Sequence, residues 1–273
     1  MSKRISMAMA VLGAVGSLTG CNLEQPTAGC FVQDASPAAG TVWQAKYNLR
    51  NQDVSGLSCG QYKGEQMGVY KYTNPDASAD LIIKNESSRI AIRPARLASL
   101  YRASYSRPTG EVDDEGNPVL ETVTVARGDA ATAANATSLS TTLAQQPDAE
   151  GLCLATGFNT ATVAAPAVYK KPEDGAGLIA PALTLSYSYE NIEVYSAPSA
   201  PGTQLRGTVK INDGTCTGEY EVWALWPSVT CDPNKALDDT NCGASQGVNP
   251  DFDVVCDAVL KKCVPAKRPP SFK

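Results

Sequence analysis

The chain has 273 residues and a formal charge of −5 at neutral pH, from 28 acidic and 23 basic residues. This acidic balance argues against nucleic acid and against anionic lipid headgroups as the main partner. The sequence contains no histidine, which excludes Ser-His-Asp and Cys-His catalytic sites, the two-histidine zinc motif and most proton transfer near neutral pH. An enzyme built from this chain would have to use carboxylates, Lys or Tyr.

The N-terminus has the order of residues that is typical of an export signal. Two basic residues precede an apolar run from Ile5 to Leu18, which is too short to span a bilayer. The run ends in Leu18-Thr19-Gly20-Cys21, which resembles the lipobox of bacterial lipoproteins. The resemblance implies that residues 1–20 are a signal peptide cleaved after Gly20. It also implies that Cys21 carries a diacylglycerol and fatty acyl chains such as palmitate, which together anchor a protein stably.

The number of cysteines supports lipidation independently. The chain has nine, and an odd number in an exported protein needs an explanation. Lipidation of Cys21 leaves an even set, which predicts four disulfide bonds in an oxidising compartment. The candidates are Cys30, Cys59, Cys153, Cys216, Cys231, Cys242, Cys256 and Cys263.

Pairing cannot be deduced from spacing, because eight cysteines allow 105 connectivities. We expect Cys30 to bond to Cys59, Cys153 to Cys216, and Cys256 to Cys263 or to another cysteine of the C-terminal group. Zinc binding is the weaker alternative, since the sequence has no C-x-x-C pair. We therefore expect no metal and no cofactor other than the covalent lipid.

Beyond a polar tether (residues 21–40), apolar residues alternate with polar ones, which predicts strands. One hairpin is expected between residues 81–83 and 90–92. A second is expected to join residues 99–106 to 119–126 across an acidic loop. Only residues 128–146 could form a helix of any length, and their threonines leave strand or loop equally open.

The clearest strands come later in the chain. The alternating apolar residues fall at odd positions up to Tyr189 and at even positions from Ile192 onward. This change predicts a β-bulge near Glu190-Asn191. Asp213-Gly214 is typical of a two-residue hairpin turn. Such a turn would set Ile211 opposite Cys216, with Cys216 pointing into the core, and Gly207 opposite Tyr220.

These patterns predict an all-β protein, with an antiparallel β-sandwich or barrel over residues 41–230. Residues 231–265 have few large apolar side chains and four cysteines, so we expect a small disulfide-stapled module. Residues 266–273 are interpreted as a loose basic tail. Acidic turns at 113–117 and in 232–253 could supply oxygen ligands to calcium, but they lack the spacing of an EF-hand loop.

The C-terminal stretches Asn241-Cys242-Gly243, Val255-Cys256-Asp257 and Lys262-Cys263-Val264-Pro265 support a second resemblance. Together with residues 147–153, they resemble the cysteine-rich surface lipoproteins of myxobacteria and related deltaproteobacteria, over about a third of the chain. The resemblance implies an envelope location and this architecture. It implies no catalytic residue.

Five aromatic residues crowd into two neighbouring segments and could form a binding patch: Tyr187, Tyr189, Tyr220, Trp223 and Trp226. They occupy both faces of the predicted strands, so a second sheet, the cysteine-rich module or a partner must cover one face. An exposed patch would mark a protein or glycan surface. Burial inside the fold is the alternative.

Three functions remain open. The first is a non-catalytic, structural or adhesive lipoprotein in an envelope assembly, for example one serving motility or cell contact, with an envelope protein as partner. The second is a glycan- or small-ligand-binding module that uses the aromatic strands, and the third is a carboxylate-pair hydrolase. Asn22 is not the aspartate that retains lipoproteins in the inner membrane of enteric bacteria, so we expect the outer membrane and leave its face open.

Overall fold

A computed structural model describes residues 29–35, 41–74 and 87–273. Strands dominate this part of the chain, and the two α-helices in it, α1 (Ala95–Ser99) and α2 (Ala130–Ala134), are short. The prediction of an all-β fold is confirmed. The strands are β1 (Trp43–Leu49), β2 (Gly64–Asn74), β3 (Ser87–Pro94), β4 (Arg102–Val112), β5 (Pro118–Ala126), β6 (Ser138–Leu139), β7 (Thr142–Leu143), β8 (Leu152–Thr156), β9 (Ala161–Ala165), β10 (Val168–Tyr169), β11 (Leu178–Ala180), β12 (Leu183–Tyr195), β13 (Gln204–Asn212), β14 (Thr217–Leu225), β15 (Val254–Asp257) and β16 (Lys262–Pro265).

The largest sheet is antiparallel and closes on itself. Its strands follow the order β13-β14-β1-β2-β3-β7-β8-β12, and β12 pairs with β13 to complete the ring. Strand β9 extends the sheet by pairing with the first half of β12. Of the two architectures that the sequence predicts, the closed sheet corresponds to the barrel.

Strand β12 closes the ring because a bulge keeps both of its halves facing the core. The pairing with β13 shifts between Glu190 and Glu193, and Asn191 adopts a φ of 50°. Without the extra residue, every later side chain would turn to the opposite face. The predicted bulge is confirmed. The buried residues on the two sides of it are Leu185, Tyr187, Tyr189, Ile192 and Val194.

The β13–β14 hairpin has a different register from the predicted one. Ile211 lies opposite Gly218, so the prediction that it faces Cys216 is wrong. The Asp213 carboxylate accepts hydrogen bonds from the backbone amides of Thr215 and Cys216. The loop therefore holds four residues, 213–216, instead of two. Because side chains alternate between the two faces of a sheet, a register shift of two residues leaves the strand residues on their predicted faces. Cys216 lies in the loop and is half-buried, so the prediction that it points into the core from the strand is wrong, and Gly207 lies opposite Val222 instead of Tyr220.

The helix considered for residues 128–146 is confined to α2, whose first turn is capped by the Asp129 carboxylate. The residues after it form β6 and β7. Residues 81–83 lie outside the described residues, so the hairpin expected there is not described. Strand β3 pairs instead with β2, with Ile92 opposite Val69.

One disulfide bond lies at each end of the closed sheet. At one end, residues 29–35 pack against the core, and Cys30 bonds to Cys153 of β8. At the other end, Cys59 bonds to Cys216. The predicted pairs Cys30–Cys59 and Cys153–Cys216 are wrong, because the two cysteines of each predicted pair lie at opposite ends of the sheet. Residues 29–35 of the expected tether therefore belong to the body.

The C-terminal module has its own small core around Phe252 and two disulfide bonds, Cys231–Cys256 and Cys242–Cys263. A direct Cys256–Cys263 bond is therefore excluded, although these two residues are neighbours across β15 and β16. Strand β16 packs on β1 and β14. The module thus covers the outer face of the closed sheet.

The basic C-terminus is also packed and is not a loose tail. The backbone amide of Ser271 donates a hydrogen bond to the buried Gln204 side chain, and Phe272 lies against Tyr195 and Phe252. Arg268 forms an ion pair with Glu221 on β14. These contacts extend the cover of the sheet to the end of the chain.

Removing a disulfide bond that closes a long loop should cost more stability than removing one that closes a short loop. Cys30 and Cys153 are 123 residues apart, whereas Cys231 and Cys256 are 25 apart. Chain entropy predicts losses of about 5 and about 3.5 kcal/mol respectively. Urea unfolding of the two double alanine variants measures both. Equal losses, or the reverse order, would contradict the assignment of Cys30–Cys153 as the bond that holds the N-terminal segment to the sheet.

Candidate functional site

The predicted lipidation site, Cys21, and the cleavage position, Gly20, lie outside the described residues. The described chain begins at Gly29, and Cys30 is fixed to the body by its disulfide bond. The nearby Lys71 ammonium also donates a hydrogen bond to the Cys30 carbonyl at 2.6 Å. An extended chain from Cys21 to Cys30 spans at most about 30 Å. A lipid on Cys21 would therefore hold the closed sheet close to the membrane.

The five aromatic residues of the predicted patch do not form one exposed surface. Tyr187, Tyr189 and Tyr220 are buried in the interior of the sheet. Trp223 and Trp226 are half-buried, and their indole nitrogens are buried without a hydrogen-bond partner in the described part of the chain. Trp223 lies on the face that the cysteine-rich module covers. The glycan-binding alternative therefore has no exposed aromatic platform at these positions.

The interior holds a carboxylate that the sequence analysis missed. Glu65 on β2 accepts hydrogen bonds from the hydroxyls of Tyr187 and Tyr47, at 2.6 and 3.2 Å. Its second oxygen accepts one from the backbone amide of Arg96, at 2.7 Å, where α1 begins. The parity of β2 could have revealed this residue, because Glu65 shares a face with the buried residues Met67 and Val69.

The surroundings of this cluster raise the pKa of its acidic groups. Burial raises the pKa of Glu65 above its usual value, although the hydrogen bond from Tyr187 opposes the rise. Burial, together with the nearby carboxylate, also raises the pKa of Tyr187, so its hydroxyl stays protonated and donates. The guanidinium of Arg96 lies 4.8 Å from the centre of the Tyr62 ring, and its positive charge also lowers the pKa of Glu65. This arrangement ties β1, β2 and β12 together.

The most exposed element is the hairpin of β4 and β5, which we call the arm (residues 102–126). The sequence predicts this hairpin, and the structure shows it as a separate two-stranded sheet that takes no part in the closed ring, with Tyr105 opposite Val123. Most of its residues are exposed, including Val112 and Leu120, which are 66% and 61% exposed. An isolated two-stranded hairpin is only marginally stable in water.

The base of the arm is fixed to the body by polar contacts. Arg127, which follows β5, is buried and donates hydrogen bonds to the backbone carbonyls of Ala165, Pro166 and Pro181. On the inner face, Tyr105 donates a hydrogen bond to the Asp174 carboxylate. The arm therefore leaves the body in a defined direction.

The tip of the arm is acidic. Four acidic residues there are exposed: Glu111, Asp113, Asp114 and Glu115. Within the described residues, none of the four forms an ion pair, and the acidic residue of the arm that does is Glu121, with Arg107. Asp113 accepts hydrogen bonds from the backbone amides of Asn117 and Glu115, which close the turn and lower its pKa. This carboxylate therefore has a structural role in the turn.

Two other features bear on the predicted sites. The sulfur atoms of Cys231, Cys242 and Cys263 lie within 4.8 Å of one another. All three belong to disulfide bonds, as predicted from the even number of cysteines that remains after Cys21. In the described part of the chain, no helix combines the length and apolar character needed to cross a membrane.

Comparison with known proteins now identifies the family. A family model described as MlpA matches residues 41–227. A relative from Myxococcus xanthus, named "Putative lipoprotein MlpA", is 36% identical over 278 aligned residues that cover 98% of each chain. The chain belongs to the MlpA family. The predicted resemblance to myxobacterial lipoproteins is confirmed, and no solved structure gives a significant match. The family model covers the closed sheet and the arm, while the relative extends through the cysteine-rich module as well.

The two buried tyrosines of β12 should respond differently to loss of their hydroxyls. Tyr187→Phe removes a hydrogen bond to a charged group, so we expect the free energy of unfolding to fall by about 1.5–3 kcal/mol. Tyr189→Phe is the matched control, because the Tyr189 hydroxyl is not among the donors to Glu65 and lies beside the Tyr47 hydroxyl instead; its cost should stay below about 1 kcal/mol. Urea unfolding at pH 7 measures both. Equal costs would contradict the assigned role of Glu65.

Proposed function

We propose that this protein is a lipid-anchored protein of the cell envelope, held in the outer membrane through Cys21, with a structural or adhesive role that requires no catalysis. The arm is its docking element and a protein of the envelope is its partner. The single observation that carries this proposal is the exposure of the arm. Most residues of the arm are exposed, and the arm is a separate hairpin outside the closed sheet.

The anchor is supported by two independent observations. The relative that matches over 98% of the chain is named as a lipoprotein. In addition, all eight cysteines other than Cys21 form disulfide bonds. Cys21 is therefore left over for modification, in a protein whose disulfide bonds are typical of an oxidising compartment.

A non-catalytic role is supported by the state of the interior. The half-buried Glu65 carboxylate lies among the tyrosines of the sheet, and both of its oxygens already accept hydrogen bonds. Its partners are tyrosine hydroxyls and a backbone amide, so the group acts as a structural link between strands. The chain also has no histidine.

The docking role is supported by the arm's shape and chemistry. Its outer face carries exposed hydroxyls, with Ser104 and Thr124 paired across the strands at 3.1 Å. Exposed strand edges and apolar residues such as Leu120 are features that natural proteins normally cover. A partner that binds along the arm would cover them.

The anchor is tested by growing cells with labelled palmitate and separating their membranes. Wild-type protein should carry the label and fractionate with the outer membrane, because acyl chains hold it there. Cys21→Ser should be unlabelled and soluble. Cys30→Ser is the matched control, since it loses a different cysteine and should keep the label. A Cys21→Ser variant that stays in the membrane would refute the anchor.

The arm is tested by replacing residues 109–119 with Asn-Gly, which forms a tight hairpin turn. Because the body does not depend on the distal arm, the variant should keep its disulfide bonds, its membrane location and its unfolding midpoint. It should lose the envelope proteins that cross-link to wild-type protein in intact cells, as detected by mass spectrometry. An unchanged set of cross-linked proteins would refute the docking role.

A further inference from the structure

Exposed aromatic residues lie at the end of the closed sheet where the described chain begins. Phe31 follows Cys30 in the segment that packs against the core, and it is 49% exposed. Its backbone amide donates a hydrogen bond to the hydroxyl of Ser196, which follows the last residue of β12. Tyr72 on β2 is 55% exposed and follows Lys71, whose ammonium binds the Cys30 carbonyl. Both aromatic residues are therefore next to the point where residues 21–28 join the body.

An uncharged loop lies beside Phe31 at this end. The loop of residues 196–203 connects β12 to β13 and contains no charged side chain. Gly202 lies against Phe31, which leaves no room for a side chain at position 202. Pro198 and Pro201 in the same loop are exposed. Apolar and aromatic groups are stable at the boundary between lipid headgroups and acyl chains.

The acidic residues at this end argue against an electrostatic attraction to anionic lipids. The Asp34 carboxylate accepts a hydrogen bond from the backbone amide of Lys71 at 3.3 Å. Asp148 accepts hydrogen bonds within its own turn, and Glu150 lies 3.7 Å from Arg206. Contact with a lipid surface at this end must therefore be apolar, and it should depend little on salt.

The arm leaves the body from the opposite end of the sheet. Arg127 at its base donates a hydrogen bond to the carbonyl of Pro181, two residues before β12 begins. Cys153 pairs with Val194 near the other end of β12 and bonds there to Cys30. The base of the arm and the start of the described chain are therefore separated by the length of β12.

The lengths of β12 and of the tether determine which end can lie near a membrane. The 13 residues of β12 span about 40 Å along the strand. At most about 30 Å of extended chain separates Cys21 from Cys30. A lipid on Cys21 therefore favours contact between the bilayer and the end that carries Phe31, and it leaves the arm on the far side of the body.

We propose that the end of the closed sheet that carries Phe31 and Tyr72 lies on the lipid bilayer, with both side chains among the headgroups and the arm directed away from the lipid. The inference rests on the anchor proposed for Cys21 and adds the face that meets the membrane. Two aromatic residues bury much less apolar surface than an acyl chain does. The contact therefore orients the body, while the lipid holds it.

Photo-cross-linking to lipid tests this orientation. The photoreactive amino acid p-benzoylphenylalanine replaces Phe31 or Tyr72, which are already aromatic, in the full-length lipidated protein. Leu57 is the matched control position, because it is 50% exposed but lies near Cys59 at the opposite end of the sheet. Each variant is placed in phosphatidylcholine vesicles whose acyl chains are tritiated, and the label bound to the protein is counted after illumination.

The probes at Phe31 and at Tyr72 should each capture about ten-fold more lipid label than the probe at Leu57, because interfacial groups enter a bilayer by only about 5–10 Å. The ratio should be the same at low and at high salt, since the contact is apolar. Label at Phe31 or at Tyr72 that does not exceed the label at Leu57 would overturn the orientation, as would a ratio that falls at high salt.

The outcome for the anchor is read separately, from palmitate labelling and vesicle binding of the wild-type protein. If the protein carries no palmitate and does not bind vesicles, the anchor and the orientation are refuted together. If it carries palmitate and stays bound, but the three probes capture equal label, the orientation is refuted and the anchor stands.

Discussion

The structure depends on the strand that closes its sheet. Strand β12 pairs with β13 along most of its length, with β9 beside its first half and with β8 beside its second half. One inserted residue at the bulge keeps Tyr187 and Ile192 on the same interior face. A closed sheet leaves no free edge within the ring. Strand pairing with another molecule must therefore use elements outside the ring, and the arm is one of these.

The body and the arm treat their acidic side chains in opposite ways. The half-buried Glu65 carboxylate is satisfied by tyrosine hydroxyls and a backbone amide, so it links parts of the body. The acidic tip of the arm remains hydrated, and only Asp113 is engaged, in its own turn. Buried polar groups without partners are costly, whereas solvated charges remain free to meet a partner.

Much of the fold follows from local sequence patterns. Trp43, Ala45 and Tyr47 alternate along β1, as a strand with one inward face requires, and the structure buries all three. The parity change after Tyr189 predicted the bulge, and the arm followed from two strand-like runs around an acidic turn. These predictions succeeded because the period of a strand is a property of neighbouring residues.

The predictions that failed depend on distant parts of the chain or on side-chain chemistry in a turn. The hairpin register moved because the Asp213 carboxylate holds a four-residue loop. Disulfide partners depend on which chain segments meet at each end of the closed sheet, and Cys30 is 123 residues from its partner. The aromatic patch was ambiguous because alternation assigns a residue to a face but does not show what covers that face.

The central claim is that the body is closed and self-sufficient, while the arm acquires its cover from another molecule at the membrane. Hydrogen exchange of the full-length protein tests it, measured once in dilute detergent solution and once in membrane vesicles, because amide protection reports local opening and cover. Amides of β12 and β13 should be protected in both states, and those of β4 and β5 only in the vesicles. Arm amides that exchange equally fast in both states would contradict the account.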